Sequence, residues 1–195
     1  MQLRPFAVCT LLAAALAVSC RNLPTQYGES VQVLQDGGQL QAVNPNDIVV
    51  APVELAIEGL TVPDRQLRTA FQGMLIRRHY SPLALDFVDS RVIEASYTAG
   101  ALHEQAVLQI VIHNWDARYW GTRDAMLVDI EARMLDTRNP DGPPLWAARL
   151  PRRFDMAEDA ATATSDVMLK RLLCERIAKD LLSVMPGRDV TATRP

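Results

Sequence analysis

Residues 106–114 constrain the fold of this chain more than any other segment. Val, Leu and Ile fill five of these nine positions, which is typical of a β-strand that is buried on both faces. Residues 126–136 differ, because apolar and charged residues alternate along them. That alternation predicts a second strand with one face on the core and one in solvent, so Asp129 and Glu131 are expected on a solvated face.

Three shorter segments complete the predicted sheet, and two helices are predicted to cover it. Further strands are expected at residues 48–53, 80–85 and 145–150. Apolar residues recur every three or four positions in residues 63–78 and 160–185, which predicts two amphipathic helices. These elements predict a single α+β domain with a mixed or antiparallel sheet of about five strands and two main helices packed on it.

The first twenty residues predict export and attachment to a lipid. Arg4 gives the chain a short positive start, and residues 6–18 form an apolar run that is shorter than the roughly 18 residues of a membrane-spanning helix. Residues 16–20 resemble the lipobox of bacterial lipoproteins, because the small residue Ser19 precedes a cysteine. Residues 1–19 are therefore predicted to be a lipoprotein signal peptide, and Cys20 the lipidated residue.

Several acyl chains on one cysteine would hold the mature chain firmly at a membrane where a single chain would not, since each buried methylene contributes about 0.8 kcal/mol. Residue 21 is arginine. By resemblance to enterobacterial lipoproteins, in which aspartate at this place goes with retention at the inner membrane, we expect the periplasmic face of the outer membrane. Two alternatives stay open: cleavage by the ordinary signal peptidase after residues 15–17, and a retained membrane anchor.

The rest of the chain divides into a tether, a domain and a tail. Residues 20–46 carry glycines, prolines and few large apolar residues, so a flexible tether is predicted after the lipidated cysteine. The globular domain is predicted over residues 47–185 and a frayed tail over 186–195.

Cys174 has no cysteine with which to form a disulfide, because Cys9 leaves with the predicted signal peptide and Cys20 carries the predicted lipid. The fold must then depend on its hydrophobic core, and a buried, inert thiol is expected.

Several segments together resemble a family of bacterial envelope lipoproteins whose fold is like the TolB N-terminal domain. The matching pieces lie at residues 48–52, 77–80, 106–112, 128–136 and 142–146. They extend over residues 47–183, and the chain has His79 where this family usually has glycine. The resemblance implies an envelope protein that assists larger assemblies.

No catalytic, metal or cofactor site is predicted. The histidines His79, His103 and His113 lack the spacing of helical metal ligands, and no Gly-x-Ser-x-Gly motif or glycine-rich phosphate loop is present. Asp129 and Glu131 share a strand face, which could serve acid–base chemistry but is more typical of solvated surface. We expect no enzyme, and a hydrolase is the third class of function considered.

A short aromatic segment is the predicted partner-binding site. Residues 114–121 include Trp115, Arg118, Tyr119 and Trp120, and these residue types are enriched at interface hot spots. The alternative is that Trp115 and Tyr119 cap the end of the sheet and extend the core.

The charge of the chain excludes one class of partner. The formal charge is −3, and removal of residues 1–19 takes away Arg4 alone, which leaves −4. No basic face for nucleic acid is therefore expected.

The predicted function is that of a lipid-anchored periplasmic accessory or scaffold protein that binds another cell-envelope component, with self-association left open. The alternative is an auxiliary lipoprotein of an ABC-type lipid transport system, which needs a groove for an acyl chain.

Overall fold

The computed structural model describes residues 27–28, 30–92, 97–118, 120–122 and 125–191. The predicted signal peptide and Cys20 lie outside the described residues. The strands are β1 (Gln32–Gln35), β2 (Asp47–Val50), β3 (Glu54–Leu55), β4 (Ser81–Pro82), β5 (Ala106–Asp116), β6 (Ala125–Asp136) and β7 (Trp146–Asp155). The helices are α1 (Gly38–Val43), α2 (Asp64–Arg77), α3 (Leu85–Asp89), α4 (Ala157–Thr162) and α5 (Asp166–Leu182).

The strands form one mixed sheet in the order β1-β7-β6-β5-β2-β4, and β3 pairs separately with β5. The antiparallel meander β5-β6-β7 is its centre, while β2 runs parallel to both β4 and β5. The α+β class is confirmed, with seven strands in the described part rather than about five. The added strands β1 and β3 are too short to show a periodicity. The strand predicted at 80–85 is reduced to β4, because helix α3 already begins at Leu85.

The two main helices, α2 and α5, pack on one face of the sheet. Leu67 and Phe71 of α2 and Leu173 and Ile177 of α5 are fully buried in the main core cluster. The helix predicted over 160–185 is instead two helices, α4 and α5. The second begins at an N-cap, where the Ser165 hydroxyl accepts a hydrogen bond from the backbone N–H of Met168 at 3.2 Å.

A smaller apolar cluster lies on the opposite face of β2 and β5. It contains Val49, Val107 and Val88, the last contributed by α3. These two strands are therefore covered on both faces, as their continuous apolar sequences predict.

Arg68 of α2 lies off the apolar stripe of its helix but is only 3% exposed. Its Nη1 atom pairs with Oδ1 of Asp89 at 2.6 Å, which compensates its charge.

The way α2 ends explains why His79 has a left-handed backbone conformation. The N–H of Tyr80 donates to the carbonyl of Leu75, and the N–H of His79 donates to the carbonyl of Ile76. This pair of bonds is a Schellman motif, which requires a left-handed residue after the helix. His79 fills that place with φ of 68°, a conformation in which glycine carries no steric cost.

The folded domain extends further in both directions than the sequence predicts. The predicted tether includes β1, which pairs with β7, and α1, whose Leu40 is fully buried. In the predicted frayed tail, the carbonyl of Pro186 accepts a hydrogen bond from the Tyr80 hydroxyl at 3.0 Å, and the N–H of Arg188 donates to the end of α2. Single contacts of this kind hold short segments without any repeating pattern in the sequence.

Candidate interaction surfaces

The aromatic segment that follows β5 is divided between core and surface. Trp115 is buried in the main core cluster. Trp120 is half-buried against that cluster, and its indole Nε1–H donates to Oδ1 of Asp166 at 2.7 Å. The ammonium of Lys170 lies 5.8 Å from the centre of the Trp120 ring, within cation–π range. This arrangement fixes Trp120 against the N-terminus of α5.

Arg118 is the most exposed of the three predicted contact residues that the structure describes. Its side chain is 77% exposed, and its guanidinium forms a fork with the carboxylate of Asp116. Tyr119 lies outside the described residues. The structure thus places Trp115 inside and leaves Arg118 and part of Trp120 at the surface, and the partner-binding role of the segment stays a prediction.

The polar face of the central meander is not the solvated surface that its alternating sequence predicts. Asp129 is 1% exposed and Glu131 is 5% exposed. Arg149 binds Asp129 through two parallel hydrogen bonds of 2.7 Å, from Nε to Oδ1 and from Nη2 to Oδ2. Glu131 accepts hydrogen bonds from Arg133 and from the His113 ring, the latter at 3.0 Å. The two carboxylates are therefore buried members of ion pairs.

Cross-strand register explains this burial. Arg149 of β7 lies directly opposite Glu131 of β6 and diagonal to Asp129, so its long side chain can cover both carboxylates. Burial alone would raise the pKa of Glu131, but hydrogen bonds from Arg133 and His113 outweigh burial and hold that pKa below its ordinary value. Arg133 and His113 each bind one oxygen of Glu131, and Arg149 binds both oxygens of Asp129. Contacts of this kind are typical of structural ion pairs.

The structure also places the lone thiol and the candidate metal ligands. Cys174 is fully buried, and burial raises the pKa of its thiol to about 12, so the thiol stays protonated at neutral pH. The described part of the chain holds no group of three or more His, Cys, Asp or Glu side chains suited to a metal ion. Among the helices described, none is both long and apolar enough to cross a membrane.

A groove of about 500 Å³ lies between α2 and α5. Its half-buried floor consists of Ala70, Met74 and Leu172. Five basic side chains and two acidic side chains complete the lining, namely Arg65, Arg77, Arg171, Arg176, Lys179, Asp159 and Glu175. The lining therefore carries a net charge of +3 in a chain whose formal charge is −3.

The positive charge of the groove is not evenly neutralised. Arg65 pairs with two carboxylates of α3, and Arg176 pairs with Asp159. Within the residues that the structure describes, Arg77 and Lys179 have no carboxylate within 4.0 Å. Both side chains are exposed, so the end of the groove nearest the C-terminus of α2 presents the uncompensated charge.

Residues 54–58, which consist of β3 and the three residues after it and which we call the acidic loop, form a second unusual surface. Their sequence is Glu-Leu-Ala-Ile-Glu, and every one of the five residues is exposed. Leu55 is 40% exposed and Ile57 is 51% exposed. Glu54 accepts a hydrogen bond from the side chain of Gln109 at 2.7 Å, which fixes the start of the loop against β5. The acidic loop therefore presents apolar side chains between two carboxylates.

Neither of these surfaces is predicted from the sequence. The pattern Glu-Leu-Ala-Ile-Glu is visible in the sequence, and so are the basic residues that flank the apolar stripes of the two helices. The groove itself exists only because α2 and α5 pack side by side, and helical periodicity does not tell which helices become neighbours.

Comparison with known proteins identifies the fold but no family. No family model and no curated protein matches the chain. The chain is similar to PelC from Paraburkholderia phytofirmans, solved as a dodecamer, with 14% identity and a TM-score of 0.54 over 82% of this chain and 99% of that one. A single-residue variant of PelC, also a dodecamer, matches with 13% identity and a TM-score of 0.53 over the same shares.

A third solved structure, lipoprotein GNA1162 from Neisseria meningitidis, is 20% identical with a TM-score of 0.43, and the match covers 70% of this chain and 99% of that one. At these identities, the likeness to PelC shows a shared fold. The finer resemblance to the TolB N-terminal domain stays a prediction.

Proposed function

We propose that this chain is a lipid-anchored, non-catalytic protein of the cell envelope that assembles with copies of itself into a scaffold and binds another envelope component. The observation that carries this proposal is the fold shared with PelC, which extends over 82% of the chain and belongs to a protein solved as a dodecamer. A shared fold does not transfer function by itself. The proposal therefore also depends on surfaces of this chain that self-association would cover.

The edge of the sheet at β1 is one such surface. Val33 and Leu34 are 51% and 52% exposed, and the outer side of β1 faces no further strand among those described. Exposed apolar edge strands favour pairing with another chain. The opposite edge, β4, is two residues long and contains Pro82, which blocks such pairing.

The anchor is proposed from the sequence, with Cys20 as the acylated residue and the periplasmic face of the outer membrane as its place. The full chain, expressed in bacteria that process lipoproteins, should take up labelled palmitate and fractionate with membranes. Cys20→Ser should lose the label, while Cys9→Ala in the signal peptide is the matched control and should keep it. A mature, membrane-bound Cys20→Ser protein would contradict lipidation.

The scaffold part of the proposal is tested by the size of the purified protein. The lipidated chain, extracted in mild detergent, should give assemblies larger than a dimer in native mass spectrometry and sedimentation velocity. A monomer at every concentration tested would refute self-association. The partner-binding part is tested by crosslinking in cells at Trp120, with a crosslinker at Arg153, exposed on β7, as the control.

A second candidate function has one observation in its favour. An auxiliary lipoprotein of an ABC-type lipid transport system needs a groove for an acyl chain, and the α2–α5 groove has an apolar floor and a volume within the range of ligand pockets. Lipid extracted from the purified protein and identified by mass spectrometry tests it. Protein free of bound lipid under mild detergent extraction would contradict this function.

A further inference from the structure

We infer that the α2–α5 groove of one copy binds the acidic loop of the next copy, so that a head-to-tail contact builds the assembly. This inference rests on the self-association proposed above and names the two surfaces that meet.

Charge complementarity is the first argument. The groove has a net charge of +3, and its two cations without a carboxylate partner in the described structure are Arg77 and Lys179. The acidic loop ends in two exposed carboxylates, Glu54 and Glu58. Two uncompensated positive charges thus face a segment with two negative charges, and such matched rim charges set partner choice and register at interfaces.

The apolar parts of the two surfaces also match. Leu55 and Ile57 project from the acidic loop with 40% and 51% of their surface exposed. The groove floor offers Met74 and Leu172 as apolar partners. Removal of exposed apolar surface from water favours association. A single contact would therefore cover the apolar centre of both surfaces inside a charged rim.

Gly73 supplies an independent observation at the same site. It lies in the middle of α2, is exposed in the groove, and an added Cβ would meet nothing within 4 Å. Glycine inside a helix is destabilising relative to alanine, and no neighbour within the described chain requires a small residue here. The missing side chain leaves room for another backbone to come close to the helix.

The contact is heterologous, because the groove and the acidic loop share no residue. Every bound copy then leaves one free groove and one free loop. Contacts of this type continue until they close into a ring or extend as a filament, whereas a contact between identical surfaces stops at a dimer. The inference therefore predicts assemblies larger than a dimer.

The decisive experiment is a charge swap in the full lipidated chain. The groove variant carries Arg77→Glu and Lys179→Glu, and the loop variant carries Glu54→Lys and Glu58→Lys. Each alone should weaken assembly by about tenfold or more, which corresponds to about 1.4 kcal/mol. The combined variant should restore assembly, because the charges are again opposite. Because the combined variant carries all four substitutions, its assembly also shows that none of them prevents folding.

Two further variants separate shape from charge. Gly73→Trp fills the groove floor and should block assembly, whereas Gly73→Ala adds one methyl group and should assemble like the wild type while unfolding at a higher temperature. Arg153→Glu reverses an exposed charge outside the groove and is the control for net charge. Its assembly should be unchanged.

The outcomes distinguish this inference from the function on which it rests. If the wild type assembles and the groove and loop variants assemble equally well, self-association stands and the groove contact is refuted. If Leu34→Lys abolishes assembly while the groove and loop variants assemble like the wild type, the β1 edge is the interface and the groove contact is refuted. If the groove variant loses binding to phosphatidylglycerol vesicles but assembles normally, the groove is a lipid site and the inference fails. A monomeric wild type refutes both proposals.

Discussion

Arg149→Ala tests whether the polar face of the meander is a layer of buried ion pairs. Arg149 holds the carboxylate of Asp129, which is 1% exposed, by two bonds of 2.7 Å. Removing one partner of a buried pair typically costs 3–5 kcal/mol, because an uncompensated charge is left behind. The Arg149 side chain is itself 34% exposed, so water can enter and solvate part of the carboxylate. We therefore expect a loss of about 3 kcal/mol in the free energy of unfolding, at the lower end of that range.

The assay is urea unfolding of the full chain in detergent, with thermal unfolding as a second measure. A loss of about 3 kcal/mol should lower the melting temperature by roughly 6–12 °C for a domain of this size. The matched control is Arg138→Ala. Arg138 makes a similar fork with Asp136 but is 70% exposed, and exposed pairs contribute about 0–1 kcal/mol.

A double-mutant cycle completes the test. Asp129→Ala combined with Arg149→Ala should cost less than the sum of the two single variants, since no unpaired charge remains in the double variant. If Arg149→Ala destabilises the protein no more than Arg138→Ala does, the polar face is solvated and the argument for a buried layer is wrong.

Three further predictions concern other parts of the fold. His79→Gly should raise the free energy of unfolding by about 0.5–1 kcal/mol, because relief of left-handed strain exceeds the entropy cost of glycine; a loss in urea unfolding would refute this. Trp120→Ala should cost about 2 kcal/mol, roughly half the value for a fully buried site, and a loss above 4 kcal/mol would place it in the core. The pKa of Glu131 in the folded protein lies below its ordinary value of 4.5. The ionised Glu131 side chain therefore contributes to the free energy of unfolding above pH 4.5, and this contribution is lost as the pH falls through the folded pKa. Stability should thus fall more steeply in acid for the wild type than for Glu131→Gln, and equal slopes would contradict the ion pair.

Periodic segments were predicted well from the sequence. Helix α2 and the long strands β5 and β6 lie where their apolar spacing places them, with ends displaced by a few residues. The second predicted helix is divided into α4 and α5. Their periodicity reports which side chains share a face, and burial of that face is the dominant favourable term in folding. The same patterns place Leu173 and Ile177 in the core, where the structure has them.

Which side chains form the candidate surfaces depends on the tertiary structure alone. Alternation put Asp129 and Glu131 opposite the core, but it does not show the partners that allow their burial. Arg149 of β7 binds Asp129, and Arg133 and His113 bind Glu131. The groove likewise needs α2 and α5 side by side. A one-dimensional pattern records the faces of each element, whereas the covering of a face depends on contacts between residues far apart in the chain. For that reason the sequence alone determined the class of fold and the predicted anchor, and the packing decided which charges are buried and which lie free on the rim of a groove.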